Sequence, residues 1–490
     1  MACARQPISA ADAPLRSVLV TGESVHAWMI AVRLARALRN HEVRVLLLED
    51  GNPQAPGVLS FDPDIHAFHR TLGVEHSGLF RHLRAALRYG SHFADWSGPG
   101  QSGFAGFGSA GQLIERVPFQ HYVTALRKQR GSARLADYCP GSLAARTGRF
   151  ALEGSGPLAG LEAGLSVERA DYLTFLRALA SDLGVEHVVG NLQTVEYDAD
   201  GHAQTLCLQD GRRFSADAYF DCTEDAALAS AGGLMERHPF PAQVEIAHRE
   251  LSRARLDGPT PLYDQIIWRE GGWERLRCVA DSVESERVWT VDPGESSSVE
   301  GARGTLGAPW QGRCVALGPA LGESIDLVAD RWWLTRRAVE HWLRLLPTRD
   351  PTPMLREEFN RVVVAEALQL ANAQSLPLFC AAGRKPGWAT PIRVDEGAMA
   401  DLRYRIDLYR ASGRLSFHED DPLSGQRWMM LLEALGMLPQ AADRLLPAIP
   451  PADLARRMDQ VRDVLARAVA GLPTHEQALA RLRGSAGVRQ

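Results

Sequence analysis

Blocks of apolar and polar residues near the N-terminus predict a strand, a turn, a helix and a second strand, in that order. The short apolar run Val18–Val20 predicts the first strand, and Gly22 begins a tight turn. Residues 27–38 carry apolar side chains at helical spacing, with arginines along the outer side. Residues 43–48 are apolar except for Arg44, which is typical of a strand that is buried on both faces. The order of these segments predicts a βαβ unit.

Two features of this βαβ unit bear on nucleotide binding: the acidic residue after its second strand and the glycine pattern of its turn. Glu49 stands directly after the second strand, where a dinucleotide-binding βαβ unit places its ribose-binding carboxylate. The glycine pattern G-x-G-x-x-G is incomplete, because Gly22 is followed by Ser24 and Ala27 at the other two glycine positions. Ala27 still permits close packing of helix on strand, whereas Ser24 narrows the approach to the pyrophosphate and Glu23 adds a negative charge beside it. The alternative is a βαβ unit that binds no nucleotide.

The rest of the chain alternates between helical and strand-like patterns. The predicted elements, in chain order, are helical pieces over 61–96, a Gly/Ser-rich loop over 97–112, an amphipathic helix over 167–184, a β-meander over about 186–214, a buried strand over 218–222, several strands over 241–316, mostly helix from 328 onward, and an amphipathic helical tail over 450–490.

Composition narrows the class of protein. The chain has 490 residues, of which 45% are apolar and 23% charged, as in ordinary globular proteins. Its net charge of −5 provides no broad basic field for nucleic acid, and no apolar run approaches the ~20 residues of a membrane-spanning helix. The N-terminus lacks a signal-peptide core, and seven cysteines without a CxxC pair predict buried, reduced thiols in a cytoplasmic protein. His66 and His69 are expected to lie on a solvated helix face, and no metal site is predicted.

Several segments, taken together and in order, resemble the flavin-dependent tryptophan halogenases, which belong to the FAD-dependent monooxygenase superfamily. They span about residues 17–380. The segments are GESVHAWM at 22–29, LRAALRYGSHFADW at 83–96, the stretch from SVERADYLTFLRAL to TEDAAL at 166–228, CVALGPALGESIDLVADRWW at 314–333, and REEFNRVVVAEALQLANAQSLPLF at 356–379.

The resemblance implies an α/β fold with an FAD/NAD(P)-binding Rossmann-like domain, a substrate-side β-sheet and a helical C-terminal region. We expect an N-terminal tail over 1–16, an FAD-binding domain with the inserted sheet over 17–330, and the helical region over 331–490. The implied cofactor is FAD, whose reduced form a separate flavin reductase supplies. The residues expected to bind it are Gly22, Ser24, Ala27, Trp28, Glu49 and Gly318.

In that family, halide attacks a flavin peroxide, and hypohalous acid then passes to a lysine beside the aromatic substrate, where a glutamate assists the substitution. This chain departs from the family at both positions, since Arg88 stands at the lysine and Val328 at the glutamate. A guanidinium is permanently charged and does not copy the chemistry of an amine. Asp330 and Arg331 replace small groups where a halide would bind, and an anion beside an anion is unfavourable unless Arg331 compensates.

Each departure also has a purely structural interpretation. Arg88 could cap a helix or pair with a surface acid. Asp330 and Arg331 could pair with neighbouring residues at a helix start, where aspartate is a good capping residue. Trp273, which matches a family tryptophan motif, could be core packing or a flavin platform. Two functions therefore stay open. One is a halogenase or monooxygenase with altered chemistry on an aromatic substrate and with weakened FAD binding. The other is a catalytically silent member that acts as a binding or assembly partner of an active paralogue. A homodimer is compatible with either.

Overall fold

The computed structural model describes residues 13–22, 25–51, 56–75, 79–80, 83–114, 116–224, 226–228, 236–290, 304–322, 325–382, 392–419, 421–446 and 449–484. Its strands are β1 (Ser17–Thr21), β2 (Arg44–Glu49), β3 (Val58–Phe61), β4 (Ala85–Arg88), β5 (Gly90–Ala94), β6 (Ser102–Gly106), β7 (Gly164–Glu168), β8 (Glu186–Val189), β9 (Leu192–Tyr197), β10 (Ala203–Leu208), β11 (Arg213–Phe214), β12 (Ala218–Asp221), β13 (Arg237–His238), β14 (Ala242–Val244), β15 (Ile246–Arg255), β16 (Asp264–Arg269), β17 (Gly272–Val279), β18 (Ser282–Thr290), β19 (Thr305–Leu306), β20 (Trp310–Gln311), β21 (Cys314–Ala316) and β22 (Ile392–Val394).

Its α-helices are α1 (Val25–Leu38), α2 (Ile65–Thr71), α3 (Phe119–Arg130), α4 (Pro140–Thr147), α5 (Arg169–Asp182), α6 (Trp332–Leu345), α7 (Pro353–Ala382), α8 (Ala400–Ser412), α9 (Gly425–Ala434), α10 (Pro451–Ala470) and α11 (His475–Gly484). Short 3-10 turns cover Leu135–Tyr138, Gly156–Leu158 and Gly318–Ala320.

The predicted βαβ unit forms the centre of a six-stranded sheet with the order β20-β21-β12-β1-β2-β8. β1 pairs in parallel with both β2 and β12, and β8 and β21 extend the parallel arrangement outward. The face of α1 that packs on this sheet is apolar, and α5 and α6 flank α1. Because the carboxyl ends of parallel strands share one edge, Gly22, Glu49 and Gly318 are all brought to that edge, as a Rossmann-like fold requires.

A second group of strands forms the inserted layer. A six-stranded sheet with the order β15-β18-β17-β16-β5-β6 lies beside a three-stranded antiparallel sheet with the order β3-β7-β4. β17 contacts all three strands of the smaller sheet, so side chains from β4 and β17 meet between the two layers. Arg88 ends β4 and Arg275 lies on β17, which places both arginines in this interlayer space.

Two segments differ from the sequence-based prediction. Residues 61–96 were expected to be helical. Among the residues described there, α2 is the named helix, and β4 and β5 occupy the later part of the segment. All four residues of β4 are buried, so the period-two alternation that marks a half-exposed strand is missing. The loop expected over 97–112 contains β6, whose glycines permit a close approach: a Cβ on Gly103 would lie 2.4 Å from the Cα of Ala434 on α9.

The two histidines of α2 also differ from expectation, because neither lies on a solvated face. His69 is 1% exposed and its Nε2 lies 2.9 Å from the hydroxyl of Tyr172. His66 is buried as well, with Nε2 3.0 Å from the carbonyl oxygen of Ala163. The prediction of reduced thiols is confirmed for the six cysteines in the described residues, all of which are free and five of which are buried.

The region from α6 onward is helical except for β22, which pairs in antiparallel register with β14. α6 packs between α1 and α7, and it thereby connects the central sheet to the C-terminal helices. Within the described residues, no helix combines the length and the apolar character that crossing a bilayer requires.

Candidate functional site

Arg88, which the sequence predicts to stand at the position of the family lysine, lies between two carboxylates. Its side chain is 6% exposed; Nη2 donates to Asp62 Oδ1 at 2.6 Å, and Nη1 donates to Asp264 Oδ2 at 3.3 Å. The guanidinium carbon also lies 4.9 Å from the ring centre of Phe107. Contacts on this many sides hold the side chain in one orientation. Arg88 therefore pairs with acids, but it ends a strand rather than capping a helix, and its partners Asp62 and Asp264 are half-buried and buried rather than at the surface.

The network continues from Asp264 toward the segment that matches the halide site. Arg275 Nη2 lies 3.4 Å from Asp264 Oδ2, and Arg275 Nη1 donates to Asp326 Oδ1 at 2.8 Å. Arg331 Nε donates to the other oxygen of Asp326 at 3.1 Å. Burial acts to raise the pKa of Asp326, but the neighbouring charges of Arg275, Arg331 and Arg277 outweigh it and lower that pKa to about 2. Asp326 is therefore ionised at neutral pH.

A second branch runs from Asp62 to α6. Asp62 and Asp330 exchange backbone-to-carboxylate hydrogen bonds, from Asp62 N to Asp330 Oδ2 at 3.2 Å and from Asp330 N to Asp62 Oδ2 at 3.3 Å. Asp330 Oδ1 accepts from the backbone N–H of Trp332 at 2.7 Å. Arg336 Nη2 donates to Asp330 at 3.0 Å and to Asp64 at 2.7 Å. Asp330 thus stabilises the start of α6, as its structural interpretation predicted.

The branches together form an Arg–Asp network of four guanidiniums and five carboxylates. The network thus contains one more carboxylate than guanidinium groups, which favours protonation of a buried carboxyl. Asp330, which is 3% exposed, is such a group. Burial raises the pKa of Asp330 to about 7, with Asp64 and Asp62 adding to the rise and Arg336 opposing it. The members of the network are Arg88, Arg275, Arg331, Arg336, Asp62, Asp64, Asp264, Asp326 and Asp330.

Val328, which the sequence predicts to stand at the position of the family glutamate, is 4% exposed and carries no group that could hold or move a proton. It lies two residues from Asp330, which Asp62 links to Arg88. The structure therefore links Arg88 to the segment that contains Val328 through Asp62 and Asp330. The chemistry gathered there is ion pairing and apolar packing.

A second buried arginine, Arg427 on α9, lies on the same aromatic ring as Arg88. Its guanidinium carbon is 4.4 Å from the ring centre of Phe107, and its Nη1 donates to the carbonyl oxygens of Ala105 at 2.5 Å and Gly106 at 3.2 Å. Burial lowers the pKa of Arg427 to about 10, and the charge of Arg88 adds to the lowering. The sequence-based reasoning missed Arg427, as it missed Asp62, Asp264, Arg275 and Arg336. The Asp-Pro-Asp run after β3 was the only local signal for any of them.

The expected dinucleotide groove retains glycine at two of its turns, and a histidine packs against the second of them. Gly22 has φ +129°, and a Cβ there would lie 2.7 Å from the carbonyl oxygen of Cys222, so the turn requires glycine. Gly318 has φ +59°, and a Cβ there would lie 2.8 Å from Cγ of His26. His26 Nδ1 lies 2.7 Å from Thr335 Oγ1. The imidazole of His26 thus takes up space beside Gly318 at the sheet edge where a pyrophosphate would run.

Glu49 lies where the sequence predicts it, at the end of β2, yet its carboxylate is already satisfied. Oε1 accepts from Trp28 Nε1 at 3.2 Å and from Arg177 Nη2 at 3.1 Å; Oε2 lies 3.1 Å from His187 Nε2 and 3.4 Å from Arg177. Two carboxylate oxygens offer about four lone-pair sites, and these contacts use them. In this arrangement the Glu49 carboxylate therefore has no lone pair left for a ribose hydroxyl.

The remaining predicted cofactor residues have mixed outcomes. Ala27 and Trp28 are both buried in α1, and Ala27 packs closely against the sheet. Ser24 and Glu23 lie outside the described residues, so the expected effect of these two side chains on FAD binding stays a prediction.

Two cavities lie near these residues. One, of about 260 Å³, is bounded by β15, β17, residues 56–58 and residues 325–327, and Trp273 and Trp332 both line it. Trp273 is 3% exposed, so it serves as core packing and as a cavity wall at once. The other cavity, of about 600 Å³, is mostly apolar and lies between residues 109–114, α4 and α10.

Comparison with known proteins identifies the fold and the family. The chain matches the family described as tryptophan halogenase over residues 17–254 and 283–451. Tryptophan 7-halogenase RebH of Lentzea aerocolonigenes is 22% identical over 502 aligned residues, which cover 89% of this chain and 92% of that protein. BrvH, a flavin-dependent halogenase from Brevundimonas sp. BAL3, superposes with a TM-score of 0.84 at 24% identity, over 96% of this chain and 99% of that one.

A flavin-dependent halogenase from Xanthomonas campestris also gives a TM-score of 0.84, at 22% identity, over 96% of this chain and 98% of its own length. These similarities agree with the α/β architecture described above, and the family match covers most of the chain. The protein therefore belongs to the tryptophan halogenase family.

Proposed function

We propose that this protein has lost halogenation by the family's lysine–glutamate route and that it binds a small molecule instead. The observation that carries the proposal is the enclosure of Arg88 by Asp62 and Asp264. A lysine at this position would offer an amine that can be halogenated or can hold hypohalous acid. Arg88 stays charged, and its donors are engaged on both sides, so no nucleophilic nitrogen faces a substrate.

The surroundings of Arg88 support the same proposal. Val328 cannot act as a general acid or base, and loss of such a group typically removes about 10²–10⁴-fold in rate. A halide in direct contact with Asp326 would meet a carboxylate whose low pKa keeps it negative and whose arginine neighbours, Arg275 and Arg331, are already paired with it.

The family is flavin-dependent, so membership implies FAD binding. We infer that FAD binding by this chain is weak. The saturation of Glu49 and the position of His26 beside Gly318 support this inference, since FAD would have to displace contacts that the protein already makes. If flavin chemistry does occur, a separate flavin reductase would have to supply the reduced cofactor.

A second candidate is an altered flavoenzyme, either a halogenase or a monooxygenase that acts on an aromatic substrate. The observation that favours it is the presence of Gly22, Gly318 and Glu49 at the same sheet edge, where a dinucleotide would bind. Under the first proposal, the chain would work as a binding or assembly partner of an active paralogue, in the cytoplasm and alone or as a homodimer.

A halogenation assay separates the two candidates. The purified protein is incubated with a flavin reductase, FAD, NADH, oxygen and bromide, together with tryptophan and a panel of indoles and phenols. Mass spectrometry should detect no brominated product, whereas tryptophan 7-halogenase RebH should brominate tryptophan under the same conditions. A brominated or hydroxylated product that requires this protein would favour the altered enzyme instead.

A further inference from the structure

The cavity of about 260 Å³ is unusual in the charge of its walls. Five arginines line it, whereas only two carboxylates do. The carboxylates are Asp326 and Glu286, and both are held ionised by arginine neighbours: although burial acts to raise the pKa of Glu286, Arg277, Arg275 and Arg249 lower it. The arginines are Arg169, Arg249, Arg275, Arg277 and Arg331.

Four of these arginines have carboxylate partners, and the fifth does not. Arg277 lies 2.7 Å from Glu284, and Arg249 lies 3.5 Å from Glu286. Arg169, at the first position of α5, forms no ion pair with any of the residues that the structure describes. Burial lowers the pKa of Arg169 and the charges of Arg331 and Arg277 lower it further, while Glu284 and Glu286 oppose this lowering without forming an ion pair with it. A bound anion would relieve this crowding of positive charge.

Several arginines that line this cavity also have hydrogen-bond donors without an acceptor. Within the described part of the chain, the Nε–H groups of Arg169, Arg275 and Arg277 are buried and have no acceptor. A buried donor without an acceptor costs free energy, and a ligand oxygen can satisfy it. Guanidinium groups match the oxygens of carboxylates and phosphates especially well, because their donors form a planar fork.

The rest of the lining is apolar and aromatic. Trp273 and Trp332 contribute rings, and Leu251, Val288 and Ile325 contribute aliphatic surface. A cavity of this size accommodates a compact molecule such as a substituted single ring, and it lies a little below the range of about 300–1,000 Å³ that is common for ligand pockets.

We propose that this cavity binds a small molecule that carries a carboxylate or a phosphate on an aromatic or apolar body, with Arg169 as the principal contact of the anionic group. The inference deepens the proposed function and rests on it, since it names the site and the class of ligand of a binding protein. It differs from halide binding because the forked donors select oxyanions, which have several acceptor oxygens.

Isothermal titration calorimetry with matched probes tests the proposal on the full-length protein. Benzoate and phenyl phosphate supply the two anionic groups, benzamide supplies the shape of benzoate without its charge, and sodium chloride supplies a halide. The variants are Arg169→Gln, Arg169→Lys and a control, Arg255→Gln, which alters an arginine of β15 that is 82% exposed. Because Arg169 has no ion pair with described residues, its substitution leaves no carboxylate unpaired there.

We expect benzoate or phenyl phosphate to bind the wild-type protein and benzamide to bind at least about tenfold more weakly, which corresponds to about 1.4 kcal/mol. Arg169→Gln should weaken anion binding by about tenfold or more, Arg169→Lys should weaken it less, and Arg255→Gln should leave it unchanged. Binding of chloride alone, equal binding of benzamide and benzoate, or an unchanged affinity in folded Arg169→Gln would each overturn the proposal. Halogenation is assayed separately in the same preparation, so a brominated product would contradict the loss of halogenation without deciding whether the cavity binds anions.

Discussion

Arg88 and Asp62 form an ion pair in which Nη2 lies 2.6 Å from Oδ1 and the side chains are only 6% and 15% exposed. This contact places an acceptor directly on the side chain that the sequence predicts to stand at the family's lysine position. Asp62 also accepts a hydrogen bond from the backbone N–H of Asp330, so one carboxylate connects the lysine position to the halide segment. These contacts hold Arg88 and Asp62 in fixed positions, and an arrangement of this kind does not favour transient binding of hypohalous acid at Arg88.

The pair should be important for stability. Arg88→Met leaves Asp62 without its arginine and Asp264 with Arg275 alone, and breaking a buried ion pair from one side typically costs about 3–5 kcal/mol. The double variant Arg88→Met with Asp62→Asn should cost less than the sum of the single variants, since it removes both charges of one pair. Urea denaturation followed by tryptophan fluorescence measures the free energy of unfolding.

Arg361→Gln is the control for this cycle, because Arg361 is 68% exposed and its partner Glu358 is also near the surface. Surface pairs contribute about 0–1 kcal/mol, so this variant should be close to wild type. Strict additivity of the Arg88 and Asp62 variants would show that the two side chains do not interact as described.

Restoring the lysine should not restore halogenation. Arg88→Lys would supply an amine but leave it between Asp62 and Asp264, with an apolar side chain at residue 328 and with Asp330 and Arg331 still in place of the small groups expected to bind a halide. Because groups of one catalytic unit act together, rescue should also require Val328→Glu, Ala329→Ser, Asp330→Thr and Arg331→Gly. Liquid chromatography–mass spectrometry with an aromatic substrate panel tests this, and a halogenated product from Arg88→Lys alone would refute the role assigned to the halide segment.

The raised pKa of Asp330 predicts a specific dependence of stability on pH. In the folded protein Asp330 takes up its proton near pH 7, whereas in the unfolded chain it does so near pH 4. Between these values the folded state binds more protons, so this group makes unfolding harder as the pH falls from about 7 to about 4. The contribution can reach at most about 1.4 kcal/mol per pH unit.

Thermal unfolding of the wild type and of Asp330→Asn from pH 5 to pH 8 isolates this contribution, since other titrating groups are common to both proteins. The stability of the wild type relative to Asp330→Asn should increase as the pH is lowered. A difference that stays constant over this range would mean that Asp330 is ionised throughout it. Below about pH 4, protonation of Asp326 should remove stability instead, because its pKa of about 2 is depressed.

The affinity for FAD should increase when a donor that now occupies the carboxylate oxygens of Glu49 is removed. Arg177 is 43% exposed and contacts both oxygens of Glu49, so Arg177→Gln should free lone pairs for a ribose without disturbing the core. The sequence independently predicts tighter binding for Glu23→Gly combined with Ser24→Gly. Titration of FAD, followed by absorbance and by retention of yellow colour through gel filtration, compares these variants with the wild type and with Arg213→Gln, an exposed control. Stoichiometric FAD in purified wild-type protein would contradict weak binding.

The sequence predicts some parts of this molecule well because their signals are local. The βαβ unit follows from apolar periodicity over about 30 residues, and the order of family segments identifies the architecture. β4 and β6 escape prediction, because one is buried throughout and the other contains glycines that the approach of α9 requires.

The candidate site is predicted only in part. Arg88 and Val328 are recognisable as substitutions at family positions, but their meaning depends on partners that are distant in sequence. Asp264 lies 176 positions from Arg88, and Asp330 lies 268 positions from Asp62. No local pattern marks such pairs. The same holds for Glu49, whose predicted position is correct while its contacts with Arg177 and His187 come from elements more than 120 residues away.

Generation of hypohalous acid tests the central claim most directly, because it does not depend on knowing a substrate. The protein is supplied with a flavin reductase, FAD, NADH, oxygen, bromide and catalase, and phenol red serves as a trap that changes colour when it is brominated. A family halogenase provides the positive control, and reductase with free FAD provides the background. We predict that this protein gives no bromination above that background, because Arg88 and the halide segment are tied into the Arg–Asp network. Bromide-dependent bromination of the trap that requires this protein would contradict the account.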